Sequence, residues 1–221
     1  MSGTEHIGAH HIIHIAGSTL HLDTVIMTWV VIALLVVLSW LATHQMRLVP
    51  RGIQNVIEFA IEWLDGTIGA NISPAARPCT PIIASLFLFI LFSNLLGVVP
   101  GFESPTADLN VTLALAAVVM GLTIYAGARS KGLKNYLIGF IKPNPLFLPL
   151  NLIEIFTRTL TLAFRLFGNM FAGDVLVIIL GNLVAYAVPT LAQAFHVFVG
   201  VLQAYLFMML SVAYVSVATE E

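Results

Sequence analysis

The chain is 221 residues long, 59% apolar and only 9% charged, with a formal net charge of −2; soluble domains run at about 45–50% apolar and about 25% charged. That much apolar surface exceeds what one aqueous core hides, so a bilayer is the remaining solvent. No basic patch is present, which excludes nucleic acid as a partner, and the single cysteine, Cys79, has no mate for a disulfide and reads as a small apolar helix residue.

Residues 1–22 read as an outer N-terminal tail. They lack the charged start and cleavage site of a secretory signal and the Arg/Ser richness of a transit peptide. His6, His10, His11 and His14 lie here, and the spacing of His6 and His10 suits helix-borne metal ligands. Apart from Glu5, no Cys or carboxylate completes a site, so a solvated tail is expected, with no metal and no cofactor.

Residues 24–43 are apolar and long enough for one crossing. His44, Arg47 and Arg51 follow at once, which by the positive-inside rule puts this end in the cytoplasm and the N-terminus outside. Residues 52–66 are too polar to span. Val56, Ile57, Ala60, Ile61 and Leu64 form a helical stripe against Gln54, Glu58, Glu62 and Asp65, the pattern of an interfacial amphipathic helix with Trp63 as its anchor. Further spans are expected at 81–99 and 109–128. The loop between them carries Glu103 and Asp108 but no Lys or Arg; after the second come Arg129, Lys131, Lys134 and Lys142, again marking the cytoplasm.

The last third, 149–218, is different. From Leu150 to Leu180 the only helix-weakening residues are Gly168 and Gly173. As one helix this stretch of about 31 residues measures roughly 46 Å, against a hydrocarbon layer of about 30 Å, so it must tilt strongly or break. Pro189 marks a turn, and a second long segment runs from about Thr190 to Ala218. The expected fold is an all-α membrane protein forming a single membrane domain. It has about five transmembrane helices plus one interfacial amphipathic helix, the last two long and strongly tilted as a hairpin, with the C-terminus cytoplasmic.

Polar groups gather in that hairpin. Glu154, Arg158, Arg165 and Asp174 fall on its first helix; Gln193, His196 and Gln203 fall on its second. An ionisable group at membrane depth costs a few kcal/mol, about 2.5–3.5 for Arg or Asp, so a functional role is the default reading. Glu154 and Arg158 are one turn apart in the favourable order for a pair; an orienting pair and the lining of an aqueous inlet both remain open. Arg165 sits mid-run, where snorkelling is hardest. Glu154 shares its side but lies roughly 16 Å away along the axis, and Asp174 faces the opposite side. Arg165 therefore meets either water or a counter-charge from another protein. On the second helix, Gln193, His196, Gly200 and Gln203 form one continuous face, extended by Tyr214. A histidine on such a face, opposite Asp174, suits a proton relay better than packing.

The run Arg165-Leu166-Phe167-Gly168-Asn169-Met170-Phe171-Ala172-Gly173-Asp174 resembles the signature of F-type ATP synthase subunit a. Leu202-Gln203-Ala204-Tyr205-Leu206-Phe207-Met208-Met209-Leu210 resembles that family's last helix, and Ser104-Pro105-Thr106-Ala107-Asp108-Leu109-Asn110 is a further match. The resemblance implies a rotary ATP synthase's proton-translocating channel and stator subunit, not catalytic by itself and without a cofactor. Its implied partners are a c-subunit ring, b-type peripheral stalk subunits, the lipid bilayer and, indirectly, the catalytic head. It implies that Arg165 faces the ring carboxylates between two offset half-channels, keeping each passing carboxylate ionised and blocking leakage. Gln203 matches the glutamine facing that arginine, Asn169 a polar channel position, and Asp174 with His196 an outer relay pair in which the family commonly has Glu instead of Asp. The resemblance implies a place for Glu154 in the cytoplasmic half-channel, although Glu154 departs from the family pattern in lying one turn nearer Arg165 than the acid of many relatives. A bacterial plasma membrane is the expected location.

The main alternative is a self-contained secondary transporter or antiporter. It needs charges of both signs at one midplane site and commonly internal repeats; Arg165 has no mate and no repeat is present. An intramembrane hydrolase lacks its motif, since neither Ser93 nor Ser211 has a base in register.

Overall fold

Long apolar runs with few breakers fold as helices, because each backbone group must then find its partner within its own segment. The computed structural model describes residues 12–15, 18–44, 52–99, 102, 104–132, 136, 148–183 and 187–220. The helices are α1 (Leu22–Thr43), α2 (Ile53–Asn71), α3 (Thr80–Gly97), α4 (Leu109–Lys131), α5 (Leu148–Leu183) and α6 (Ala187–Glu220), with short 3-10 turns at Pro74–Cys79 and Pro105–Ala107. Five stretches are long and apolar enough to cross a membrane: Asp23–Leu41, Pro74–Gly97, Leu109–Lys131, Pro149–Asn182 and Thr190–Thr219. The all-α membrane architecture holds.

Local signals set the helix limits. Asp108 caps α4, its carboxylate accepting from the Asn110 backbone N–H at 2.9 Å, which satisfies one of the donors a helix start leaves free. Gly132 follows the last turn of α4 at φ 80°. Pro81 stands in the first turn of α3, where its missing N–H costs nothing. α2 runs to Asn71, five residues beyond the expected 66. Its apolar arc divides. Leu64 and Ile68 are buried against the bundle, whereas Val56 and Ile61 point outward.

Within residues 1–22, expected as a solvated tail, β1 (Ile12–Ile15) and β2 (Ser18–His21) pair antiparallel with His14 opposite Thr19. His6, His10 and His11 lie outside the described residues, as do Arg47, Arg51, Glu103, Lys134 and Lys142, on which the expected orientation rests.

α5 is unbroken over 36 residues and α6 over 34, lengths of about 54 and 51 Å at the usual rise. They pack antiparallel: Asp174, Asn169 and Arg158 of α5 meet His196, Val199 and Tyr214 of α6 in turn. α3 also runs antiparallel to α6, through Asn94 on Gly200 and Val98 on Gln193. The core where α2, α3, α4, α5 and α6 meet is filled by Ile68, Ile83, Ile90, Val119, Leu162, Leu166, Phe207 and Met208. Small residues such as Ala116, Ala163 and Ala204 are fully buried among them, letting backbones approach where lipid supplies no hydrophobic push between helices. The surface is the reverse of a soluble protein's: Trp29, Val36, Phe59, Phe164 and Leu191 are exposed, while Ser93, Asn94, Thr106, His196 and Gln203 are buried.

These contacts give the bundle two ends. The start of α3, the finish of α4 and the finish of α6 meet at one, where Ser73 and Ser130 hydrogen-bond Ser216 and Thr219. Glu154 lies toward this end and Asn94, Asp174 and His196 toward the other.

Candidate functional site

Arg165 is exposed on α5, among exposed Thr161, Phe164 and Phe171. Among the described residues none forms an ion pair or hydrogen bond with its guanidinium. A charge left free on an apolar flank asks for a partner from outside the chain.

Toward the His196 end the polar side chains, Asp174 apart, are uncharged and mostly interior. The α6 face Gln193, His196, Gly200 and Gln203 turns inward, with His196 4% and Gln203 5% exposed. Gln193 donates to the Val98 carbonyl at 2.5 Å. Asn94 donates to the Gly200 carbonyl at 2.8 Å and accepts from Thr106 at 2.7 Å; Ser104 and Thr106 share a hydroxyl contact of 2.6 Å. Asn169 reaches across from α5 to the Val199 carbonyl at 3.5 Å.

His196 Nδ1 lies 3.8 Å from Asp174 Oδ1, so the structure brings together the two residues expected to oppose one another across the hairpin. The imidazole rests directly on Gly173, where a Cβ would overlap the ring; this is why a glycine precedes the acid. His196 Nε2, Gln203 Nε2 and Ser93 Oγ are buried, and among the described residues none has a hydrogen-bond partner. Orphaned buried polar atoms are costly and mark places that water or a moving proton can occupy.

Toward the Glu154 end the polar groups are charged and half-exposed. Glu154 and Arg158 form an ion pair, their side chains 53% and 33% exposed. The Arg158 guanidinium lies 5.3 Å from the centre of the Tyr214 ring on α6, inside the usual cation–π range. A cavity of about 450 Å³ opens here, lined by Leu150, Ile153, Glu154, Thr157, Arg158, Thr161 and Tyr214. Thr161 is one turn, about 6 Å, short of Arg165. Tyr136, seated over Gly127 of α4 where a side chain would collide with its ring, has its phenol pushed up by burial and partly drawn back by the charge of Arg158.

Asn94 is the site residue that sequence reasoning missed, while Ser104 and Thr106 entered only within the run matched to the family and Ser93 only as a nucleophile without a base. Attention to the charges and amides of the final hairpin passed Asn94 by; an amide within an otherwise apolar span was the available clue. Buried Gln203 and exposed Arg165 are both present, but no contact joins them.

A family described as ATP synthase A chain matches residues 25–216. The ATP synthase subunit a of Oceanobacillus iheyensis is 38% identical over 225 aligned positions, covering 94% of both chains. That of Moorella thermoacetica is 35% identical over 96% of each, and that of Desulforamulus reducens 39% identical over 92% of this chain and 81% of its own. With a match running almost end to end and relatives well above 30% identity, this integral membrane protein belongs to the ATP synthase subunit a family.

Proposed function

We propose that the chain is the proton-translocating stator subunit of a rotary F-type ATP synthase, passing protons through two half-channels to carboxylates on a ring of c subunits. The observation that carries this reading is Arg165: a cation on the outer flank of α5 that no acid among the described residues pairs, lying between two polar regions toward opposite ends of the bundle. The ring carboxylate is the missing counter-charge. Facing it, Arg165 favours its ionised form and repels any cation attempting to pass directly between the half-channels.

The outer half-channel follows Asp174, His196, Asn169 and Gln203. Histidine titrates near neutrality and alternates between donor and acceptor, and its unpartnered Nε2 leaves it free to hand on a proton. The inner half-channel is the cavity at Glu154, whose upper residue, Thr161, leads to Arg165. One proton moved across 100 mV yields about 2.3 kcal/mol, so several must combine for each ATP, as a ring of carboxylates allows. A b-type stalk holds the stator, the catalytic head is coupled indirectly, and the membrane is a bacterial plasma membrane with the N-terminus outside and the C-terminus cytoplasmic.

The test is Arg165→Ala in the intact complex in sealed vesicles. Gradient-driven ATP synthesis is expected to fall to background, because the other described cation of that face, Arg158, is paired with Glu154; normal synthesis by this variant refutes the proposal.

A further inference from the structure

We propose that Arg158 is a positioning residue of the inner cavity: held by Glu154 on its own helix and seated on the Tyr214 ring of α6, it sets the spacing of the two long helices and keeps the path to Arg165 open. This rests on the inner half-channel reading above.

The first argument is geometric. Guanidinium donors lie in the plane of the group while its face is free to stack. Arg158 therefore satisfies the Glu154 carboxylate and the Tyr214 ring together, one from each helix. An ammonium offers a point charge and no face. Toward the other end α5 and α6 are joined by Asn169 on Val199 and by Asp174 beside His196; here Arg158 on Tyr214 makes the join.

The second argument is what the neighbours do. Thr157 and Thr161 donate to carbonyls of their own helix, Ile153 at 2.8 Å and Thr157 at 2.7 Å. Their protons are spent, so those hydroxyls offer the cavity acceptor lone pairs and make no donor bridge to α6. A wall of acceptors suits water and protons, provided that the two helices neither collapse together nor part.

The third argument is charge. Pairing with Glu154 leaves the cavity with no net charge from Arg158, so a proton approaching from this side meets its first uncompensated cation at Arg165. With Arg158 about a third and Glu154 about half exposed, the pair's worth as an ion pair is small. Its effect is where it places things.

The experiment is ATP-driven proton pumping by inverted vesicles of the assembled complex, at matched amounts of assembled subunit. It is paired with the reactivity of Thr161→Cys toward a water-soluble thiol reagent in a Cys79→Ala background. Tyr214→Phe, which keeps a ring for the guanidinium, is expected to retain more than half the rate. Tyr214→Leu and Arg158→Gln should each lose about fivefold, the rate equivalent of one cation–π contact, and should shift the reactivity at position 161 by a similar factor. Arg158→Lys should fall between. Equal rates for Tyr214→Leu and Tyr214→Phe overturn the proposal, as does Arg158→Gln pumping like the parent, while a reactive position 161 leaves the inner half-channel standing. A position 161 that never reacts from the aqueous phase overturns that reading, and this inference with it.

Discussion

The two ends of the α5–α6 hairpin solve the problem of polarity in a membrane in opposite ways. Around His196 the side chains are mostly uncharged, amides such as Asn94 and Gln193 bonded to backbone carbonyls of α6 and α3 and a buried imidazole beside the single part-exposed carboxylate of Asp174. Around Glu154 they are a carboxylate and a guanidinium beside an open cavity. Neutral dipoles are tolerated in the interior once bonded; formal charges are tolerated where they reach water or a mate. On the proposed path, a proton crossing the first region needs a group that can carry it, whereas the second needs only water and a fixed width.

That contrast is broken most sharply at His196. His196→Leu is expected to slow proton flow from the outer side on the order of a hundredfold, the lower range for losing a positioned proton-transfer group. Proton uptake imposed from each side of vesicles checks this, and equal uptake by parent and variant removes His196 from the path. The next effect in size is on stability. Asn94→Leu leaves the Thr106 hydroxyl and the Gly200 carbonyl without their partner, at a cost of about 1–3 kcal/mol, read as a lower unfolding midpoint for the purified complex. Smaller again is Gly173→Ala. Its methyl group pushes the imidazole off its seat without removing it, and uptake from the outer side should fall about fivefold, near 1 kcal/mol of barrier. If Gly173→Ala matches His196→Leu, the ring's position matters as much as its presence.

Much of this was legible from residue order. The α5 face bearing Glu154, Arg158, Thr161 and Arg165 followed from 100° per residue, as did the α6 face from Gln193 to Gln203. The opposition of Asp174 and His196 was an expectation for the hairpin that the family resemblance reinforced, since the period of one helix does not set its register against another. The N-terminal ribbon was not foreseen, because its four-residue strands lie among polar and histidine residues. Nor was the partition of α2's apolar arc, since hydrophobicity alone does not separate a lipid-facing side chain from a packed one.

Sequence by itself determined the solvent, the number of crossings, the overlong final pair and the stranded charge of Arg165, because apolar run length and helical period are one-dimensional quantities. Only the tertiary structure decided that Arg165 lies on the outside with no partner among the described residues, that Asn94 and Thr106 of separate segments share a hydrogen bond, and that Arg158 spends its charge on Glu154 while resting on Tyr214. Those are matters of which helix faces which, and in a bilayer that choice is made by small-residue contacts and polar bonds between segments.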